Sequence, residues 1–231
     1  MSYVNWWFGA NEIASVEHEI TVFNDPGDAS DLYLQLYDAS IDGTGQYFGL
    51  QSTGLVIFSM WGSNSLADVR PGPGAYATTG DEFGPYVSLR RLFPGGLPVG
   101  EYRTRMRRGG FDGIGDWFEY HVTFPGALES LIGAVRFRRV NLDKPASFAD
   151  GGGTWTEFWD NNNPTTLFPV PLWHVGVSVT ANGGDVPMGA VSSYSVMPNS
   201  DTYVGRADDR VHFVIGGSTR REHVPGWLWR H

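Results

Sequence analysis

Residues 46–62 restrict what this chain can become more than any other stretch. Tyr47–Gln51 is rich in strand formers, and Leu55–Trp61 is apolar, β-branched or aromatic almost throughout. Between them, Ser52-Thr53-Gly54 supplies the small, turn-forming residues of a short hairpin loop. A strand that is apolar on both faces belongs in the middle of a sheet covered on both sides. The hairpin is therefore expected at the centre of an all-β protein.

The rest of the chain agrees with this class. Val16, His18, Ile20 and Val22 share one face of a strand, and Glu17, Glu19, Thr21 and Phe23 the other. Leu32, Leu34 and Leu36 alternate with Tyr33, Gln35 and Tyr37 in the same way. Further strands are expected at Tyr86–Leu92, Glu101–Arg108, Asp116–Phe124, Ile132–Val140, Trp155–Asp160, His174–Thr180, Val191–Val196 and Val211–Ile215. Asn64–Asp81 reads as a long Pro/Gly loop with a short helical turn near Leu66, and Ala149–Thr154 as a glycine-rich loop. Gly126–Leu131 is the other place for a helical turn. About a dozen short strands with almost no helix predict a jelly-roll β sandwich. Residues 1–231 read as one domain, with 165–231 a C-terminal extension packed on it.

Composition narrows the function. Charged residues are 18%, so Ser, Thr, Asn, Gly and aromatic side chains must form much of the surface, as in many secreted and sugar-binding β proteins. The net charge of -9 speaks against nucleic acid, which needs a basic footprint. With no cysteine, disulfides and thiolate metal sites are excluded. No apolar run reaches transmembrane length. Met1–Trp7 has no basic region followed by an apolar one, so the chain reads as cytoplasmic unless an export signal has been removed.

Several short motifs then occur in order: Tyr47-Phe48-Gly49-Leu50-Gln51, Val56-Ile57-Phe58-Ser59-Met60-Trp61, Phe83-Gly84, Gly100-Glu101-Tyr102 and the aromatic strand at Trp117. Over Asn11 to Asp160 the chain resembles a bacterial family catalogued as a domain of unknown function, number 3472. That resemblance implies a concanavalin-like, lectin-like jelly roll associated with glycans, and it assigns no catalytic residues. Members of the family are usually exported, whereas this chain shows no export signal.

Five groups of residues could carry chemistry. Trp61, Trp117, Trp155 and Trp159, with Tyr47 and Tyr86, could stack on sugar rings while neighbours such as Asn161 bond the hydroxyls. Trp155, Glu157 and Trp159 alternate and so share one face; as sandwich filling the same rings need no ligand. Glycoside hydrolysis needs two carboxylates, which Glu119 with Glu157 or Asp116 could supply, with His121 beside Glu119. Asp112, Asp116 and Asp160 offer hard oxygens for calcium, but also suit ordinary turns. Arg103, Arg105 and Arg107 share a face that could take an anionic glycan or pair with Glu17 and Glu19. Finally, Trp6-Trp7-Phe8 and Trp227-Leu228-Trp229 could clip the chain ends to the sandwich or form a homo-oligomer contact. The leading expectation is non-catalytic glycan binding with no cofactor. The alternatives are a hydrolase or lyase of the same fold, and a structural or assembly protein without a small ligand.

Overall fold

The structure is a computed structural model that describes residues 2–10, 12–27, 32–81, 83–158, 171–194 and 199–230. The strands are β1 (Ser2–Trp7), β2 (Ser15–Val22), β3 (Leu32–Ile41), β4 (Thr44–Gln51), β5 (Leu55–Trp61) and β6 (Val69–Pro71). They continue with β7 (Tyr76–Asp81), β8 (Pro85–Leu92), β9 (Gly100–Phe111), β10 (Gly115–Thr123), β11 (Ser130–Arg138) and β12 (Gly151–Phe158). The last are β13 (Trp173–Ala181), β14 (Gly189–Tyr194), β15 (Ser200–Val204), β16 (Val211–Ile215) and β17 (Gly226–Arg230). A single 3-10 turn, Leu66–Asp68, is the one helical element among the described residues.

The strands form two antiparallel sheets. One runs β17-β14-β1-β12-β3-β4-β5-β8-β7 and the other β15-β16-β13-β2-β9-β10-β11-β6. They pack as a β sandwich, because each strand must bury one face and the other sheet supplies the cover. From the first sheet Phe48 and Phe58 meet Tyr120 and Phe137 of the second, with ring centroids 5.0 Å apart for Phe48–Tyr120 and 6.3 Å for Phe58–Phe137. Val56, Phe58, Val16, Ile20, Phe118 and Val122 are all buried in the same core. The expected hairpin is β4–β5, with Phe48 opposite Phe58 and Leu50 opposite Val56. Strand β5 is buried from Val56 to Met60, on both faces.

The sequence reading needs correction at several places. Residues 64–81 are more than a loop: they contain β6, which pairs with β11, and β7, which pairs with β8. Both are sheet edges, where Pro71 can sit without breaking a ladder on its far side. The glycines at 151–153 open β12 instead of preceding it. Gly152 is needed there because a Cβ would come within 2.8 Å of the Tyr37 ring. Tyr37 itself leaves the alternation: a register shift between Leu36 and Ala39 and a φ of 40° turn its ring inward, where it is fully buried. Residues after 171 are built into both sheets, with β13 beside β2 and β14 beside β1. Strands β1, β15 and β17 were not expected, and Ser130 opens β11 where a helical turn was read.

The two ends meet. Strand β14 lies between β1 and β17, and the indoles pair across it: Trp6 with Trp229 at 5.6 Å and Trp7 with Trp227 at 4.9 Å. Within the chain these aromatic ends therefore clip to each other.

Among the described residues, His18 is the imidazole that is wholly buried. It packs edge-on against Phe48 at 5.5 Å, and its Nε2 is buried without a partner. Burial pushes its pKa down to about 3. The unfolded chain therefore takes up a proton that the folded chain refuses, so stability falls as pH drops from about 6.5 toward 3, by about 1.4 kcal/mol per pH unit. In His18→Leu the slope of urea-unfolding free energy between pH 6 and pH 4 is expected to be shallower by that amount. Phe58→Ala removes a fully buried ring from the centre of the core and is expected to cost about 3–5 kcal/mol by urea denaturation; a loss under about 1 kcal/mol would contradict its central placement.

Candidate functional site

The outward face of the nine-strand sheet concentrates the aromatic residues singled out in the sequence. Pairing places Tyr3 beside Trp155 (β1–β12), Trp155 beside Gln35 (β12–β3) and Gln35 beside Gly49 (β3–β4). On the same face Tyr47 lies opposite Ser59, and Trp61 opposite Tyr86. The rings touch in sequence: Tyr3–Trp155 at 5.5 Å, Tyr33–Tyr47 at 6.0 Å, Tyr47–Trp61 at 5.0 Å and Trp61–Tyr86 at 6.4 Å. Trp155, Tyr47, Trp61 and Tyr86 are each partly exposed.

Gly49 makes this surface possible. A Cβ there would fall 2.7 Å from the Tyr33 ring and hydroxyl, so the bare backbone lets Tyr33 lie across β4 toward Tyr47. The Tyr33 hydroxyl is buried with no hydrogen-bond partner among the described residues. Burial, with Tyr47 and Tyr120 nearby, holds it in the neutral form. Glu157 shares the face. It accepts the Trp155 indole N–H at 3.3 Å, and burial raises its carboxyl above the usual range despite that bond. Trp159, Asp160 and Asn161 lie outside the described residues.

The other predicted residues lie elsewhere. Trp117 sits on β10, in the opposite sheet, facing outward but only 5% exposed. Arg70 covers its ring at 3.6 Å, Arg136 approaches at 5.3 Å, and its N–H donates to Asp112 at 2.9 Å. It cannot join Trp155 in one groove, since two sheets separate them. Glu119 is also on β10, so it and Glu157 point away from each other on opposite outer faces and cannot flank one glycosidic bond. Burial pushes the Glu119 carboxyl up, but hydrogen bonds from His121 at 3.2 Å and Arg107 at 2.9 Å hold it low. His121 is shared with Glu129, 3.3 Å from its Nδ1.

The calcium candidates are occupied by donors. Asp112 accepts from Arg136, Trp117 and the N–H groups of Ile114 and Gly115, and the Arg136 guanidinium holds its carboxyl well below the usual range. Asp116 accepts from Arg139 Nε and Nη2 and from the Ala146 N–H. Among the described residues, no group of three His, Asp or Glu is placed to hold a metal ion. The arginine row pairs within the sheet, Arg103 with Glu17 and Glu19 at 3.2 Å, Arg105 with Glu129 at 2.8 Å and Arg107 with Glu119 at 2.9 Å.

The outer faces thus differ in kind: one is a ladder of ion pairs, the other a sheet of rings. Sequence reading missed Tyr3, Tyr33 and Gly49, because their roles depend on which strands are neighbours. No protein-family model matches the chain, and no curated protein matches it. The motifs quoted above alone carry the family resemblance.

Arg136 keeps Trp117 and Asp68 in place. Its Nε and Nη2 donate to Asp68 Oδ1 at 2.8 and 2.6 Å, and Asp68 is wholly buried. Arg136→Met strips Oδ1 of that buried carboxylate of both its donors and leaves Oδ2 to Ser63 at 2.6 Å and Arg138 at 3.6 Å, with an expected cost of about 3 kcal/mol by chemical denaturation. Adding Asp68→Asn is expected to recover part of the loss, since no buried charge is then stranded.

Proposed function

We propose that this protein binds carbohydrate without catalysis, through the outer aromatic face of the nine-strand sheet. The observation that carries this reading is the run of touching rings from Tyr33 through Tyr47 and Trp61 to Tyr86, with Tyr3 and Trp155 beside it. The partly exposed rings among them offer flat apolar area to the C–H face of a sugar. Glu157 and Arg90 lie partly exposed on the same face and bring polar groups that sugar hydroxyls need. A lectin-like concanavalin jelly roll and kinship with the bacterial family named above are part of this proposal, and the two-sheet antiparallel sandwich is compatible with both.

Glu157 favours a second reading. Its raised carboxyl beside Trp155 has the character of a general acid in glycoside hydrolysis. The second carboxylate of such a pair must come from this face, since Glu119 does not reach it.

A glycan array identifies ligands, and reducing-end release from the bound polysaccharides separates the two readings. Trp61→Ala and Trp155→Ala are each expected to weaken binding about tenfold, because a lost stacking contact is worth about 1–1.5 kcal/mol. Thermal unfolding of each variant checks that the fold survives. A folded variant pair that binds as well as the parent protein would remove this face from consideration.

A further inference from the structure

A second concave site lies away from the aromatic face, between the two sheets. A cavity of about 570 Å³ opens where β13 and β15 approach β1 and β17. That volume is within the usual range for small-molecule sites, roughly 300–1,000 Å³. Trp6, Val177 and Val179 lie in its floor and are 1%, 0% and 3% exposed, so the accessible apolar surface comes from Trp229, Val186 and Val204, beside Ser178 and Thr180. The Trp229 indole N–H donates to the Pro187 carbonyl at 3.5 Å. What Trp229 adds to the cavity is therefore apolar ring surface.

The mouth has one sign of charge. Asp208 and Asp209, from the turn between β15 and β16, are the charged residues in the described lining. Asp208 accepts the His212 Nε2–H at 3.1 Å and the Arg210 backbone N–H at 3.3 Å. A carboxylate has about four acceptor positions, so two such donors leave capacity for a ligand. Burial acts to raise the Asp208 carboxyl, yet the His212 and Arg210 bonds hold it low, so it stays charged at neutral pH.

Accessible apolar surface, an indole face and an anionic mouth select one kind of ligand. We propose that this cleft binds a small organic cation: an aromatic or aliphatic body lodged against Trp229, Val186 and Val204, with an ammonium group at Asp208 and Asp209. A ring face attracts an ammonium ion through its quadrupole, and the two carboxylates attract it by charge. A neutral molecule of the same shape gains only the apolar contact. An anionic one meets repulsion.

Isothermal titration calorimetry with benzyltrimethylammonium, benzyl alcohol and phenylacetate tests this. Saturable binding of benzyltrimethylammonium is expected, at least tenfold tighter than benzyl alcohol, with none of phenylacetate. Asp208→Asn with Asp209→Asn keeps the shape and an acceptor for His212, and is expected to weaken the cation at least tenfold while leaving benzyl alcohol unchanged. Val186 is 65% exposed at the rim, so Val186→Arg leaves the core alone and is expected to abolish cation binding by blocking and repelling. Thermal unfolding confirms that both variants are folded. The proposal fails if benzyltrimethylammonium does not bind, if the two uncharged and charged probes bind alike, or if folded Val186→Arg binds as the parent does. The last result would move the cation to another surface. The glycan reading, which concerns the other face of the sheet, is unaffected by any of these outcomes.

Discussion

Everything in this protein depends on the contact of Phe48 and Phe58 with Tyr120 and Phe137 across the sandwich. A strand has two faces, and burying one of them against the facing sheet fixes the role of the other. Once Phe48 and Phe58 point inward, Tyr47, Gly49, Ile57 and Ser59 must point outward. The aromatic surface is thus a by-product of register. A one-residue slip of β4 against β5 would exchange core and surface at every position, which the buried rings forbid.

The two sheets spend their outer faces differently, and the difference follows from side-chain chemistry. On the eight-strand sheet, Glu17 and Glu19 face Arg105 and Arg103 across neighbouring strands, and Glu119 faces Arg107. Such exposed pairs contribute little each, but they keep the face solvated and their charges committed to one another. On the nine-strand sheet, rings lie against rings, and Gly49 gives up its own side chain to seat Tyr33. A commitment of charges is a poor starting point for a ligand site, whereas a surface of partly exposed rings retains apolar area to offer.

The limits of the sequence follow the same division. Strands β2, β5, β9, β10 and β16 were legible because alternation or a continuous apolar run is a local signal. The co-facial placement of Trp155 and Glu157 was legible for the same reason. Strand β6 and the opening of β12 are hidden by Pro and Gly, which mark loops except where an edge or a neighbouring ring changes their meaning; Pro71 and Gly152 illustrate each case. Tyr37 escaped because a single positive φ reverses its direction. Trp117 looked equivalent to Trp155 from composition and alternation, and only the sheet order shows that the two face opposite ways. The cleft between β13 and β17 was invisible for the strongest version of this reason, since its walls come from chain segments far apart in sequence.

Strand β1 has a consequence for how the molecule is made. It is held between β12 and β14, with Val4 paired to Thr154 on one side and Ser192 on the other. Both partners follow β1 by well over a hundred positions in the chain, so β1 waits for segments that are made much later than itself. Loop-closure entropy for such distant pairs must be met before their contacts form, so closure of this sheet is a slow, late step. Until it happens, β1 presents Trp6, Trp7 and an unpaired edge to whatever else is near. Exposure to misassembly is thus greatest before that closure, and it resides in the edge of β1.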